Sequence, residues 1–204
     1  WRLKALGIDK QIKIVPFELL EENNINKVIR QGKYDEIYNL AAQSYVDKSF
    51  ASPVYTSNVN ALGVIRILEA IRQFSKKTKF YQASSSEMYG NVKSKRQSEL
   101  TNFQPISPYA ISKLNAHWML GLYRDAYDLY CCSGILFNHD SPLRGEDFVT
   151  RKIVTDLIKV KLNKISYVSL GNIYAKRDWG YSLDYVEAMW KMLQQNKPDD
   201  FVIS

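Results

Sequence analysis

One crossover constrains this chain more than any other part of it. Lys79-Phe80-Tyr81-Gln82-Ala83 is a β-rich apolar run that breaks off into Ser84-Ser85-Ser86-Glu87. Ser107-Pro108 then opens a helix, and a second apolar run spans 131–137. Strand, helix and strand at this spacing imply a right-handed crossover and a parallel pair. Ser107 is a good N-cap, Pro108 suits the first helical position, and Ala110, Leu114, Trp118, Leu122, Ala126 and Leu129 predict an apolar stripe over 107–129. The alternation extends upstream: a strand over 11–17, a helix over 23–31, a strand over 36–41 and a long helix over 53–74. Together they predict an α/β fold, a parallel sheet covered by helices on both faces. From Asn138 the pattern is less regular, with helices over 149–162 and 183–195 and a strand over 165–170.

Composition excludes several functions. A chain of 204 residues, 46% hydrophobic, fits one domain, or one and part of another. The net charge of +7 raises the question of nucleic acid, but the lysines are scattered. The clusters Lys76-Lys77-Thr78-Lys79 and Lys93-Ser94-Lys95-Arg96 read as solvated loops, so no nucleic-acid partner is expected. No apolar run approaches the roughly twenty residues of a membrane span and no signal peptide is visible, so the expectation is a cytoplasmic protein without membrane contact. Cys131 and Cys132 are adjacent on an apolar strand, where a disulfide between neighbours is strained, and only two histidines are present. Reduced core cysteines and no metal site are expected.

The chemistry gathers at the crossover. Ser85 and Glu87 leave the C-terminal end of a strand, the edge where ligands of open α/β sheets bind. Tyr109 and Lys113, four apart, share one helix face. An ammonium near a phenol favours the phenolate and lowers a pKa of about 10, which makes a general base. The spacing alone is cheap in a chain with 14 tyrosines. Tyr89 and Lys93 also fit it, but the turn formers Gly90 and Asn91 mark that pair as the chance match. The serine–glutamate strand end upstream distinguishes Tyr109 and Lys113.

Several phrases carry a family resemblance. Asn39-Leu40-Ala41-Ala42-Gln43-Ser44, Phe80-Tyr81-Gln82-Ala83-Ser84-Ser85-Ser86-Glu87-Met88-Tyr89-Gly90, Ser107-Pro108-Tyr109, Gly134-Ile135-Leu136-Phe137-Asn138-His139, Phe148-Val149-Thr150-Arg151-Lys152-Ile153 and Lys176-Arg177-Asp178-Trp179-Gly180 resemble the GDP-mannose 4,6-dehydratase family. This belongs to the extended short-chain dehydrogenase/reductase superfamily, and the resemblance runs from about Asp35 to Ser204. It implies a Rossmann-like doubly wound sheet, with 1–137 as a partial NADP-binding domain and 138–204 contributing to the substrate-binding side. It further implies NADP as cofactor, GDP-mannose as substrate, and a homo-oligomer at full length. Ser85, Glu87, Tyr109 and Lys113 fall on the family's catalytic positions, with Ser85 where the family usually has Thr. Leu40, Ala41, Ala42, Gln43, Tyr55, His139 and Arg144 join Tyr109 and Lys113 on cofactor positions, while Glu18-Leu19 replaces an Asp-Leu pair near the adenine. Asn138, Lys152 and Arg177 match substrate positions, Arg177 being the expected clamp for the pyrophosphate.

Two alternatives remain open at this point. A related sugar-nucleotide epimerase or reductase needs the Tyr and Lys but usually carries no glutamate at the place of Glu87. A noncatalytic α/β module would keep these residues as relics. A dinucleotide-binding domain normally opens with a strand, a glycine-rich turn and a helix, yet the nine glycines here are widely spaced. The resemblance therefore implies a fragment lacking the first two strands and the C-terminal part, inactive by itself. The missing strands would lie between the strands expected at 11–17 and 36–41. The chain would then pair those two strands directly or expose two edges.

Overall fold

The computed structural model describes every residue except Lys95 and Ala175, so part of the basic stretch at 93–96 lies outside the described residues. In chain order the elements are α1 (Arg2–Ala5), α2 (Glu22–Gly32), β1 (Glu36–Asn39), α3 (Val46–Ala51), α4 (Pro53–Ser57) and α5 (Gly63–Phe74). They continue with β2 (Lys79–Ser85), α6 (Pro108–Tyr127), β3 (Cys131–Leu136), β4 (Asn138–Asp140), α7 (Val149–Lys161), β5 (Trp179–Tyr181), α8 (Ser182–Leu193) and β6 (Asp200–Ile203). A π-helical turn, Asn58–Leu62, joins α4 to α5, so the predicted long helix is real but carries a bulge. Bulges of this kind are frequent at functional sites.

The main sheet has the order β1-β2-β3-β6, parallel throughout. On one face lie α2, α5 and α6, with Ile25, Ile29, Ile67, Leu68, Ile71 and Leu120 packed around Phe80. On the other, Tyr185, Met189, Met192 and Leu193 of α8 cover Tyr81, Cys132 and Leu136. Each fully buried side chain of this size contributes about 1.5–3 kcal/mol. The alternating faces of β2 thus feed two cores, and the doubly wound α/β architecture follows. Residues beyond 138 divide: β4 and β5 pair in a small sheet of their own, while α8 and β6 build onto the main one. Cys131 and Cys132 are free and buried. Among the described residues no helix is long and apolar enough to cross a membrane.

Three expectations need correction. Residues 11–17 form no strand, and Ile12, Ile14, Val15 and Phe17 are exposed. Residues 165–170 are likewise irregular. Both segments have strand-like apolar content, but a strand exists only where another edge supplies a ladder, and none of the described strands offers one to either. The direct pairing of 11–17 with β1 therefore does not arise, and of the two edges expected to be exposed only that of β1 exists, as an edge of the sheet among the described strands. The third correction concerns the stripe on α6: Ala110, Leu114 and Leu129 are buried, yet Trp118 and Leu122 are more than half exposed and Ala126 is exposed. Steps of four at 3.6 residues per turn drift by about 40° each. The buried face instead mixes threes and fours through Tyr109, Lys113, Ala116, Leu120 and Tyr123.

Candidate active site

Local sequence places the reactive groups. Ser107 Oγ accepts the Ala110 N–H at 3.1 Å and Pro108 occupies the first turn, so α6 starts at a fixed point. That start puts Tyr109 and Lys113 one turn apart on the buried face, only 9% and 4% exposed. At the end of β2, Ser85 caps a 3₁₀ turn, Ser86–Met88, its Oγ accepting the Glu87 N–H at 3.2 Å. Glu87, half-buried, is thereby held beside Ser85. Gly90 closes this turn at φ +55°, where a Cβ would collide with the Gln104 carbonyl. The competing Tyr89–Lys93 pair separates: Tyr89 is buried beside Phe103 with its hydroxyl donating to the Ser98 carbonyl at 2.9 Å, and Lys93 is exposed.

Electrostatics departs from the sequence expectation. Lys113 Nζ lies 5.8 Å from the Tyr109 ring centroid and donates instead to the Ala83 carbonyl at 2.8 Å. Burial pulls the Lys113 pKa down to about 8. The Tyr109 pKa is raised, first by burial and further by the Glu87 carboxylate, while a hydrogen bond with Ser85 works the other way. In this structure the phenol is therefore not activated by the ammonium: desolvation outweighs an attraction that a backbone carbonyl has diverted. The site joins a phenol, a serine hydroxyl and a carboxylate over a buried ammonium.

The cofactor positions fall into two groups. Leu40, more than half exposed, and Ala41 follow the end of β1, the Ala41 N–H donating to Asn39 Oδ1 at 3.3 Å. Ala42, Gln43 and Tyr55 line one cleft of about 280 Å³ with Ser44, Tyr45 and Lys48. Arg144 reaches its wall through a column: the guanidinium lies 3.7 Å over Phe148, whose ring stacks on Tyr45 at 5.3 Å. Asp140 holds the other side of Arg144 at 2.9 Å. His139 is apart, stacked on Tyr185 at 4.3 Å with Nδ1 against the Phe137 carbonyl. At the adenine position, Glu18 folds back onto the Leu20 N–H at 3.2 Å.

The substrate positions are looser. Asn138 pairs in register with Trp179. Lys152 Nζ donates to the Ser169 carbonyl at 2.6 Å. Arg177 is exposed, its Nη1 on the neighbouring Lys176 carbonyl at 2.8 Å. Among the described residues none of these three hydrogen-bonds Ser85, Glu87, Tyr109 or Lys113.

Sequence reasoning missed the polar seam beneath the site. Asn60, in the π-helical turn, accepts the Gln43 N–H at 2.8 Å, donates to the Gln43 carbonyl at 3.0 Å and reaches Ser112 Oγ at 3.2 Å. Asn39 Nδ2 donates to Gln82 Oε1 at 2.8 Å, and Gln82 Nε2 reaches the same Ala83 carbonyl that Lys113 uses, at 3.1 Å. An asparagine amid the apolar residues of a long helix was the available signal for Asn60.

A Tyr-x-x-x-Lys helix set against a hydroxyl and a carboxylate at the C-terminal edge of a parallel, doubly covered sheet defines the short-chain dehydrogenase/reductase class. The model of the GDP-mannose 4,6 dehydratase family matches residues 2–204, and the chain belongs to that family. It is 50% identical over 189 residues to the GDP-mannose 4,6-dehydratase of Vibrio cholerae, a match covering 92% of this chain and 51% of that protein. It is 52% identical over 189 residues to that of Dictyostelium discoideum, covering 92% and 53%. The chain thus spans about half the length of the curated relatives it matches. Among solved structures, RMD from Pseudomonas aeruginosa complexed with NADPH superposes with a TM-score of 0.86 at 22% identity, over 98% of this chain and 72% of that one. DesIV, a dTDP-glucose 4,6-dehydratase from Streptomyces venezuelae with NAD and TYD bound, gives 0.87 at 22% identity, over 98% and 61%. These two likenesses establish the fold.

Proposed function

We propose that the chain carries the reactive centre of a GDP-mannose 4,6-dehydratase, which converts GDP-mannose to GDP-4-keto-6-deoxymannose with NADP. The observation that carries this reading is Glu87, held beside Ser85 by the 3₁₀ turn and close enough for its charge to act on Tyr109. An epimerase or reductase has no use for that carboxylate.

The residues present fit a dinucleotide. Lys113 uses one of its three donors on Ala83, which leaves donors for ribose hydroxyls, and small Ala41 and Ala42 permit close approach beside the cleft. A nicotinamide held here would supply hydride transfer, away from C4 of the hexose and back at C6. Tyr109 takes the C4 hydroxyl proton while Ser85 hydrogen-bonds the same oxygen. The C4 ketone acidifies C5–H; Glu87 removes that proton and delivers it to the departing C6 hydroxyl, so water leaves and a 4-keto-5,6-ene remains. This becomes the 4-keto-6-deoxy sugar once C6 has regained the hydride and C5 a proton, balancing the one Tyr109 took from the C4 hydroxyl. The charge of Lys113 aids Tyr109 once the phenol begins to ionise. Leu40, Ala41, Ala42, Gln43, Tyr55, His139 and Arg144 serve the cofactor; Asn138, Lys152 and Arg177 serve the nucleotide-sugar. By this reading 1–137 is the cofactor portion and 138–204 the substrate portion, with α8 and β6 returning to complete the sheet.

The preference for NADP is supported by the family resemblance and by the NADPH of the Pseudomonas aeruginosa relative in fold. The setting is cytoplasmic. A homo-oligomer is supported by Trp118, Leu122, Val54 and Leu62, apolar and exposed on the adjoining helices α4 to α6; sedimentation equilibrium with Trp118→Glu tests it, with dissociation expected.

Mass spectrometry of GDP-mannose incubated with NADP and a chain completed to the length of the curated relatives tests the reaction. Loss of one water from the nucleotide-sugar is expected. Oxidation or epimerisation without loss of water would overturn the assignment.

A further inference from the structure

We propose that His117 is a positioning residue that locks the reactive end of β2 to α6 through Ser133 and Ser84. The inference rests on the reading of Ser85 and Glu87 as reactive groups. Those two sit on the end of β2, whereas Tyr109 and Lys113 sit on α6, so the site works only if strand end and helix keep their relative position. Apart from the hydrogen bond between the reactive groups Ser85 and Tyr109 themselves, two ties cross between strand end and helix among the described residues. One is Lys113 on the Ala83 carbonyl, and Lys113 also has a role in the reaction. The other lies one turn further along α6: His117 Nδ1 is 2.8 Å from Ser133 Oγ, and Ser133 Oγ is 2.8 Å from Ser84 Oγ. All three side chains are buried, at 7%, 0% and 5% exposure, where an unmade hydrogen bond is costly.

The far side of the imidazole is clamped as well. Asp200 of β6 faces Nε2 at 3.7 Å with one carboxylate oxygen and accepts from Arg124 Nη2 of α6 at 2.6 Å with the other. Phe103 meets the ring edge-on at 5.1 Å. Asp200 and Arg124 are the charged groups facing the imidazole, and they oppose each other in their effect on it. Ser133 Oγ gives its one proton to Ser84 Oγ, so it accepts from His117 Nδ1–H, and the chain fixes the tautomer protonated at Nδ1. Serine hydroxyls on β2 and β3 give the ring a grip on two adjacent strands at once.

Three variants separate this role from simple packing. Asparagine places its amide near the site of Nδ1 and keeps the contact with Ser133; glutamine places it near Nε2, toward Asp200; leucine removes both. In the 204-residue chain, His117→Asn is expected to leave the backbone amide chemical shifts and hydrogen exchange of residues 84–87 as in the parent, while His117→Gln and His117→Leu move the shifts and speed the exchange. In the chain completed to the relatives' length, His117→Gln is expected to lower kcat for water loss on the order of tenfold to a hundredfold with KM unchanged, and His117→Asn to stay within about twofold. Equal behaviour of the Asn and Gln variants, or unchanged amides in both, overturns the proposal, and that comparison stands if the leucine variant fails to fold. If the parent itself eliminates no water, the dehydratase reading fails, while the amide comparison still decides whether His117 locks the strand end.

Discussion

The two sides of the candidate site are built differently. On the β2–α6–β3 side each reactive group is fixed by a specific partner: Ser85 caps the turn that holds Glu87, Ser107 sets the start of α6, and Lys113 is anchored on Ala83. On the 138–181 side, Lys152 and Arg177 contact main-chain carbonyls near the surface, and no residue of α7 is buried. The reactive groups are thus prepaid in folding, whereas the groups expected to grip the nucleotide still have their geometry to acquire. Substitutions on the first side should therefore act on turnover or stability, and those on the second on binding.

The largest expected effect breaks the reactive side. In a chain completed to the relatives' length, Glu87→Gln should retain GDP-mannose binding by calorimetry and slow water elimination on the order of 10² to 10⁴, as for loss of a general acid–base. Full dehydration by this variant would remove Glu87 from the mechanism. In the same chain, Tyr109→Phe should abolish nicotinamide reduction measured by absorbance, with Tyr89→Phe close to the parent; equal losses would mean that the wrong Tyr–Lys pair had been chosen.

Next comes the looser side. Arg177→Ala should raise KM for GDP-mannose about tenfold, in line with a lost charge-assisted hydrogen bond, and leave the urea midpoint of unfolding unchanged. A kcat effect with unaltered KM would erase the contrast between the two sides. By comparison, Asn60→Ala should lower unfolding free energy by roughly 1–3 kcal/mol, because it strands the buried polar groups at Gln43 and Ser112.

The smallest effect concerns pH. With its pKa at about 8 in the folded chain, Lys113 loses its proton there while the unfolded chain still holds one. The unfolded state then binds more protons, and stability gains from this group as pH rises above about 8. Near pH 10 the buried tyrosines, whose pKa values burial raises, reverse the trend. Urea titrations from pH 7 to 10 should show the rise in the parent and not in Lys113→Met; parallel curves would mean that Lys113 is not desolvated.

The sequence was legible where local rules decide. The crossover from β2 to β3, the Ser107 cap and the assignment of Tyr109 and Lys113 to one buried helix face depend on spacing and capping within short stretches. It was misleading where a distant partner decides. Residues 11–17 and 165–170 have strand-like content, but pairing, which composition does not specify, determines whether they extend. The raised pKa of Tyr109 comes first from burial in the assembled core, and the ammonium's partner is the carbonyl of Ala83, thirty positions away along the chain. Trp118 and Leu122 kept the spacing of a stripe and lost its phase. Asn60, Gln82 and His117 are unremarkable as letters and become a seam only when three strands and two helices close around them.

The position of β6 bears on the order in which a newly made chain matures. Ser85, Glu87, Tyr109 and Lys113 all precede β3, and sequential units fold as they leave the ribosome, so the reactive groups can be gathered while downstream residues are still being translated. Asp200 belongs to the last strand of the sheet and pairs in register with Ser133. Its clamp on Arg124 and His117 therefore closes long after the centre has been assembled, and a ribosome stalled between β3 and β6 would hold a centre still unlatched at that edge.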